Sequence, residues 1–222
     1  MKLSRSKNAY FVSRLLTWFE KNHREYPWRR SFKTPDPYRI LFTELMLQRT
    51  RADQVVPIYE KFFSRFPTFG ELQRNPKEAY RIFALLGLRW RAKKIVQLIG
   101  VLKRNRGIVP SSIEELRNLP GVGEYVAGAV MCYAFKAPEA PIDTNVIRIL
   151  SRFFGLATTD SSRRDRKLLS FARSLVPPDR AHDFNLSLLD FGALVCKTKP
   201  LCGICPLSSK CSYFLRNSVS GV

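Results

Sequence analysis

The stretch Leu-Pro-Gly-Val-Gly-Glu-Tyr at residues 119–125, followed by an apolar run that ends at Phe135, decides the fold of this chain. Two glycines two positions apart let the backbone turn tightly and approach another surface closely. A helix is predicted directly after them, and its free N–H groups would point outward, where they suit a phosphate. The stretch therefore predicts two helices joined by a tight turn that can bind an anion.

The charge of the chain points in the same direction. Its 222 residues include 38 Lys and Arg against 18 Asp and Glu, a net charge of +20, and the cations are spread over most of the length. The hydrophobic content of 45% is ordinary for a folded chain of one domain or two small lobes. This composition favours a polyanion partner, above all nucleic acid, over a basic protein that is merely soluble.

The N-terminal residues lack the apolar core of a signal peptide, and no run of about 18 apolar residues occurs. We therefore expect a soluble, intracellular protein with no membrane partner.

Apolar residues recur at three-and-four spacing, and no strand-like alternation of useful length is present, so the predicted fold class is all-α. Capping signals mark several helix starts. These are Asp36-Pro37, Thr68 with Glu71, Asn75-Pro76 with Glu78, and Ser112 with Glu115. A helix is predicted over residues 89–104, with a basic exterior that contacts phosphate. Its cations are Arg89, Arg91, Lys93, Lys94, Lys103 and Arg104.

Two carboxylates stand out by their positions. Glu44 lies in a mostly apolar helical run, where a carboxylate is costly unless it is solvated or paired, so it is either a helix-surface residue or a functional one. Asp143 follows a proline-marked loop and precedes another apolar run, and it is the candidate for chemistry. The alternative for Asp143 is a plain N-cap of the following helix, a role compatible with catalysis.

Four of the five cysteines crowd near the C-terminus as Cys196-x5-Cys202-x2-Cys205-x5-Cys211. In a reducing compartment this pattern indicates metal binding more than disulfides. Zinc sites more often use two C-x2-C pairs, whereas one pair in a single loop favours an iron–sulfur cluster, with zinc as the alternative. Cys132, alone on an apolar helix, is predicted to be a core residue.

The hairpin of residues 119–123, the later Asp143 and the four-cysteine loop, in this order, resemble the helix-hairpin-helix DNA glycosylases of the endonuclease III superfamily. The resemblance covers nearly the whole chain, from Pro27 to Cys211. It implies two helical lobes that hold DNA and an extruded base between them. One is a six-helix barrel with the hairpin, over residues 30–138, and the other joins residues 1–29 to 139–222 and carries a four-iron four-sulfur cluster.

In one respect the cysteine loop departs from this family. The family usually has six residues between the first two cysteines, and this chain has five between Cys196 and Cys202. All four ligands implied by the resemblance are present.

The resemblance also bears on the substrate. Members that cleave the DNA strand carry, two residues after the second hairpin glycine, a lysine that forms a Schiff base with the sugar. Tyr125 stands there, so strand cleavage is not expected, and the site looks like that of glycosylases acting on thymine or uracil opposite guanine.

Residues 43–48 are also close to the adenine-glycosylase pattern, in which the glutamate protonates the base. Leu88-Arg89-Trp90 departs from the Gly-Tyr-Tyr of those enzymes. The chain also ends soon after Cys211, so we expect no additional C-terminal domain for recognising 8-oxoguanine.

The resemblance assigns roles to individual residues. Asp143 would stabilise positive charge at C1′ of the sugar and activate water, Tyr125 would shape the pocket, and Glu44 would polarise the leaving base or position water. Residues of the hairpin and of two loops would grip phosphate or fill the gap in the base stack. These DNA-binding candidates are Gln48, Arg49, Leu88, Arg89, Gly121, Val122 and Gly123.

The sequence therefore predicts a monofunctional DNA N-glycosylase of base excision repair that removes mismatched thymine or uracil opposite guanine. The alternatives are an adenine glycosylase, a bifunctional enzyme for damaged pyrimidines, and a non-catalytic mismatch binder. The expected partner is double-stranded DNA with a mismatched or damaged base, and the protein is expected to be a monomer. We expect it at the nucleoid in the cytoplasm of a prokaryote, or in the nucleus of a eukaryote.

Overall fold

The computed structural model describes residues 5–30, 34–87, 89–157 and 165–219. Within these ranges the chain is helical and contains no strand, which confirms the all-α prediction. The helices are α1 (Arg5–Asn22), α2 (Pro27–Arg30), α3 (Pro37–Leu47), α4 (Ala52–Arg65), α5 (Phe69–Arg74), α6 (Pro76–Ala84), α7 (Arg89–Arg104), α8 (Ile113–Arg117), α9 (Glu124–Phe135), α10 (Thr144–Phe154), α11 (Arg166–Ser174), α12 (Ala181–Leu194) and α13 (Ser212–Val219). Short 3₁₀ turns cover Cys202–Ile204 and Ser208–Lys210.

The chain divides into two compact units. The hairpin unit consists of residues Glu25–Lys136 and contains α2 to α9. The cysteine unit consists of residues Met1–Arg24 and Ala137–Val222 and contains α1 and α10 to α13.

Most of the predicted helix starts are made by their capping side chains. Asp36 accepts a hydrogen bond from the backbone N of Tyr38 at 3.0 Å, and Thr68 forms a capping box with Glu71. Asn75 makes no side-chain capping bond, so its predicted capping role is wrong although α6 does begin at Pro76. The proline is sufficient there, because its fixed φ suits the first helical position.

In the hairpin unit, α3 is buried along most of its length and packs against α4 and α9. Phe42 lies in an aromatic cluster, with ring centroids 5.6 Å from Phe62 and 6.3 Å from Phe83. Small residues at positions 127–129 of α9 are buried and allow a close helix contact. Burying α3 on both sides forces its single carboxylate, Glu44, into the interior.

In the cysteine unit, α12 packs against both α1 and α10. Phe11 of α1 contacts Phe153 and Phe154 of α10, with ring centroids 4.8 and 5.2 Å apart. A Cβ built at Gly192 would lie 2.9 Å from Cβ of Asn145, so only glycine permits the observed approach of α12 to the start of α10. This approach positions the segment that follows Asp143.

The structure corrects one sequence prediction. Arg91, predicted to lie in the basic exterior of α7, is only 1% exposed, because its guanidinium donates inward to backbone and hydroxyl oxygen atoms. The other cations of that set are exposed, as predicted: Arg89, Lys93, Lys94, Lys103 and Arg104.

Glu44 is 4% exposed, so the helix-surface alternative is wrong for this residue. In the part of the chain that the structure describes, no helix has the length and apolar character needed to cross a membrane.

Candidate DNA-binding and active-site residues

The hairpin between α8 and α9 depends on a tight turn at Gly121 and on the exposed helix start at Gly123. The backbone N of Val122 donates to the carbonyl of Leu119 at 3.1 Å, closing the turn. Gly121 has φ +86°, in the left-handed region, and a Cβ there would lie 3.3 Å from Cβ of Lys94. Gly123 is the exposed N-cap of α9, and a Cβ built on it meets nothing within 4 Å. The N-terminus of α9 is therefore uncapped by a side chain and open to an approaching anion.

A second candidate DNA-contact segment follows α3 and is called the wedge turn (residues 48–51). Arg49 is exposed and takes the left-handed conformation with φ +55°, which is uncommon for a residue with a side chain. Gln48 Nε2 donates to the carbonyl oxygen of Gly121 at 3.0 Å. This bond joins the wedge turn to the hairpin, so two of the predicted DNA-binding segments are neighbours.

The third candidate segment precedes α7. Arg89 is the exposed first residue of that helix, whereas Leu88 lies outside the described residues. Trp90 is 49% exposed in the same first turn and was missed as a candidate contact. Its sequence signal is an aromatic residue between cations, which is typical of nucleic-acid surfaces.

Glu44 occupies an unusual environment on α3. Its Oε2 atom is buried and makes no hydrogen bond within the part of the chain that the structure describes. Burial disfavours the ionised form and raises the pKa of this carboxyl group to about 8. Glu44 is therefore mainly protonated at neutral pH and can donate a proton.

A buried tyrosine on α9 links Glu44 to the predicted Tyr125. The pKa of Tyr133 is raised well above its usual value, first by burial and then by Tyr125, Cys132 and Glu44, while Arg29 opposes the shift. These groups therefore share one electrostatic neighbourhood within the hairpin unit. Sequence reasoning missed Tyr133 as a site residue, although its spacing of two helical turns from Tyr125 places both on one face of α9.

Asp143 caps α10 with both carboxylate oxygens engaged. Oδ1 accepts from the backbone N of Val146 at 2.8 Å, and Oδ2 accepts from Asn145 Nδ2 at 2.7 Å. The N-cap alternative is thus confirmed as a structural role, and the side chain remains half-buried. The two bonds hold the carboxylate in one orientation.

Hydrogen bonds continue from Asp143 to the cysteine loop. Arg148 Nη2 donates to Asn145 Oδ1 at 2.8 Å and to the carbonyl of Gly192 at 3.0 Å. Arg148 Nε donates to the carbonyl of Cys196 at 2.9 Å. Neither Asn145 nor Arg148 was identified from the sequence, because only the folded cysteine unit brings their partners together.

The four predicted cysteine ligands lie in one neighbourhood. Burial raises the pKa of Cys205 to about 11, a backbone hydrogen bond from Leu207 opposes it, and the charges of Cys211, Cys196 and Cys202 raise it further. Arg152 braces the loop, since its Nη2 donates to the carbonyl of Thr198 at 2.9 Å and its Nη1 lies 3.6 Å from Cys196 Sγ.

Among the described residues, no three His, Cys, Asp or Glu side chains lie close enough to hold a single metal ion. The donor set of four cysteine thiols in one loop nevertheless fits the iron–sulfur group that the resemblance implies, and zinc uses such a donor set as well.

Comparisons with known proteins agree with this architecture. A model of the helix-hairpin-helix motif matches residues 106–133. A thymine/uracil-DNA glycosylase of Methanothermobacter thermautotrophicus is 39% identical over 94% of this chain and 95% of its own length. The chain belongs to the helix-hairpin-helix DNA glycosylases. This glycosylase is also 38% identical to a thymine-DNA glycosylase of Aeropyrum pernix, over 90% of this chain and 92% of that protein.

Other proteins similar to this glycosylase include an adenine DNA glycosylase and two solved structures. An adenine DNA glycosylase of Buchnera aphidicola is 33% identical over 94% of this chain, which spans 60% of that protein. The solved structure of a thermostable thymine-DNA glycosylase matches with a TM-score of 0.87 and 37% identity, over 95% of this chain and 98% of that one. A trapped endonuclease III–DNA covalent intermediate matches with a TM-score of 0.82 at 24% identity, over 98% of this chain and 100% of that one, and supports the fold alone.

Proposed function

We propose that this DNA glycosylase hydrolyses the N-glycosidic bond of thymine or uracil opposite guanine and leaves the strand intact. The observation that carries the proposal is Tyr125 in the first turn of α9, near Tyr133 and Glu44, where strand-cleaving members have a lysine. A phenol cannot form a Schiff base with the sugar, so hydrolysis by water is the available route. The names of the relatives that match along most of their length support the same substrate.

DNA engagement follows from the three contact segments. A base inside a duplex must be flipped out, which costs a few kcal/mol and least for a mismatch. The uncapped N-terminus of α9 at Gly123 binds a backbone phosphate, and the wedge turn with Arg49 and Arg89 contacts the DNA around the vacated position. Leu88 is proposed for the same role from the sequence alone.

The chemistry is divided between two carboxyl groups. Asp143, held in one orientation by its two hydrogen bonds, stabilises the positive charge that develops on the sugar and orients or deprotonates water. The C1′–N bond breaks with its electron pair passing to the base, and the water oxygen then bonds to C1′. Glu44 supplies a proton to the departing base or polarises it, and Tyr125 limits the pocket.

We also propose that Cys196, Cys202, Cys205 and Cys211 hold a four-iron four-sulfur cluster. The four cysteines would let the cluster cross-link the loop, and Lys197, Lys199 and Lys210, which are exposed in this loop, would then be available to contact DNA. Chemical assay of iron, acid-labile sulfide and zinc in purified protein tests this. About four irons and four sulfides per chain are expected, and one zinc without sulfide would contradict the cluster.

A duplex panel tests the activity. Purified protein is incubated with duplexes that contain G·T, G·U, A opposite 8-oxoguanine, or thymine glycol, with and without alkali. Breaks in the G·T and G·U duplexes only after alkali are expected. Breaks without alkali would contradict the role of Tyr125, and no breaks in any duplex would favour a non-catalytic binder.

The duplex with adenine opposite 8-oxoguanine is included because one observation favours a second candidate function, that of an adenine glycosylase. A buried glutamate that is protonated at neutral pH, as Glu44 is, suits protonation of adenine, and adenine glycosylases match most of this chain. Faster release of adenine than of thymine and uracil would replace the proposed substrate.

We propose a monomer acting on double-stranded DNA, at the prokaryotic nucleoid or in a eukaryotic nucleus, with the barrel lobe at residues 30–138 and the cluster lobe at 1–29 and 139–222. Sedimentation of the free protein tests the monomer.

Because the net charge is +20, log Kd for DNA should also depend on log salt with a slope of about 0.9 per phosphate neutralised. A flat response would contradict the electrostatic contribution.

A further inference from the structure

Arg91 is a charged residue that the proposed mechanism does not use. It lies on α7 with 1% of its surface exposed, and burial lowers the pKa of its guanidinium. Its hydrogen-bond partners within the described residues are all uncharged oxygen atoms. A buried cation without a counter-charge costs stability, and an apolar side chain of similar size would serve the core better. Its presence therefore calls for a role other than stability.

The bonds of Arg91 use every terminal donor that the side chain has. Nη1 donates to the carbonyl of Met46 at 3.1 Å and to the carbonyl of Gln48. Nη2 donates to Thr50 Oγ1 at 3.0 Å and to the carbonyl of Leu86 at 3.2 Å. Each terminal nitrogen carries two N–H groups in a fixed plane, so four donors meet four acceptors.

These four acceptors belong to segments that carry the candidate DNA contacts. Met46 lies in the last turn of α3, Gln48 and Thr50 lie in the wedge turn, and Leu86 precedes α7. Gln48 in turn donates from its side chain to Gly121 of the hairpin. Arg91 is thus the shared attachment point of the wedge turn and the loop before α7, and it reaches the hairpin through one further residue.

We propose that Arg91 is a positioning residue that holds the wedge turn in the conformation that enters DNA. This inference rests on the proposed function, because the wedge turn is taken to fill the position of the flipped base. Arg49 needs a left-handed backbone in that turn, a conformation that persists only where its surroundings fix it. A lysine at position 91 would keep the charge but offer its donors from one nitrogen, too few for the four acceptors.

The first test measures how firmly the wedge turn is held in the protein without DNA. Trypsin cleaves after exposed Arg49 and Arg51, and mass spectrometry measures cleavage at these two bonds separately from the rest of the chain. R91K and R91M should raise cleavage there about tenfold, since each lost bond to a charged donor frees the turn. The matched control is I99A, which removes a buried side chain from the same helix and should raise cleavage broadly.

The second test reads mismatch recognition. Binding of a G·T duplex and of the fully paired duplex is measured for the wild type, R91K and I99A, with 2-aminopurine beside the mismatch to report base opening. The affinity of R91K for the paired duplex should stay within about twofold of the wild-type value. Its preference for the G·T duplex over the paired one should fall about tenfold, and the 2-aminopurine signal of base opening should be lost. I99A should keep the preference.

Three results would overturn the inference. The first is that R91K protects the bonds after Arg49 and Arg51 as well as the wild type does. The second is a broad rise in cleavage like that of I99A. The third is selective cleavage at those two bonds with the G·T preference unchanged. If the wild type shows no preference for G·T, the proposed function fails, and the trypsin result still decides whether Arg91 holds the turn.

Discussion

The two carboxyl groups proposed for catalysis lie in opposite kinds of environment. Glu44, in the hairpin unit, is buried, has an oxygen without a hydrogen bond in the described residues, and titrates near pH 8. Asp143, in the cysteine unit, is half-buried at the N-terminus of a helix, and both of its oxygens accept hydrogen bonds. The first environment favours the neutral acid form of Glu44, and the second holds the carboxyl group of Asp143 in one orientation.

This difference in environment supports the two proposed roles, proton donor for Glu44 and charge stabiliser for Asp143. Desolvation penalises ionised Glu44. Around Asp143, the backbone N of Val146 and the side chain of Asn145 each donate a hydrogen bond to one carboxylate oxygen. Substitutions at these two groups and at their neighbours test the difference.

The largest effect is expected for Asp143→Asn. The amide keeps an oxygen to cap α10 but loses the charge, so single-turnover base release should fall about a hundredfold to a thousandfold. Binding of the G·T duplex should remain nearly unchanged, as measured by fluorescence anisotropy.

Asp165→Asn provides the control, because Asp165 caps α11 in the same unit by accepting from the backbone N of Lys167. It should leave base release intact. Equal loss of binding and base release in Asp143→Asn would show that Asp143 is only a structural cap.

Glu44→Gln should have the next largest effect, because a glutamine cannot donate the acid proton. Base release is expected to fall about a hundredfold. In the wild type the rate should decline as pH rises through about 8, since Glu44 loses its proton there, and the variant should lack this decline. Rates are measured from pH 6 to 9 at constant ionic strength.

Glu78→Gln is the matched control, because Glu78 is a partly exposed glutamate of the hairpin unit paired with Arg65 at 2.9 Å. It should keep both the rate and the pH dependence. A decline near pH 8 that survives in Glu44→Gln would assign the titration to another group.

Asn145→Ala tests whether the hydrogen bond from Asn145 to Asp143 contributes to base release. Asn145 donates to Oδ2 of Asp143, so its loss frees one carboxylate oxygen while the charge remains. Base release should fall about tenfold, consistent with one hydrogen bond to a charged group. Thr144→Ala, an exposed neighbour in the same helical turn, should change the rate little, and equal losses in both variants would remove the special role of Asn145.

The last prediction concerns the stability of the protein and not its rate. The pKa of Glu44 is raised from 4.5 to about 8 in the folded protein, so between these values the unfolded chain binds fewer protons than the folded one. The stability contributed by the protonated side chain is complete below pH 4.5 and is lost as pH rises to about 8. The free energy of unfolding relative to Glu44→Gln should therefore fall by roughly 1 kcal/mol per pH unit between them. Urea denaturation at pH 5.5 and 7.5 measures this difference between the wild type and the variant. An equal difference at both pH values would contradict a buried acid at position 44.

Much of the fold could be predicted because its signals are local. The helix over residues 89–104, the hairpin glycines and the caps at Asp36 and Ser112 depend on neighbours a few positions away, and the structure confirms them. α13 was not predicted, because the residues after Cys211 carry no clear apolar period.

The sites were only partly predictable, since burial is a property of the folded unit. A glutamate and an arginine on amphipathic helices look alike in sequence whether they face water or the core. Glu44 was open to either interpretation, and Arg91 was assigned to the wrong face. The oxygen atoms that receive Arg91 come from positions 46 to 50 and 86, which helical periodicity does not relate to one another.

By itself, the sequence determined the helical class, the two-glycine hairpin, the basic charge and the absence of a lysine at position 125, because these follow from residue identity and short spacing. Tertiary structure alone decided that Glu44 is a buried acid, that Asp143 is held by Asn145, and that Arg91 ties the wedge turn to the loop before α7. Each of these depends on which polar atoms remain in water and which are enclosed by other helices. Desolvation and long-range hydrogen bonds arise only when distant parts of the chain meet.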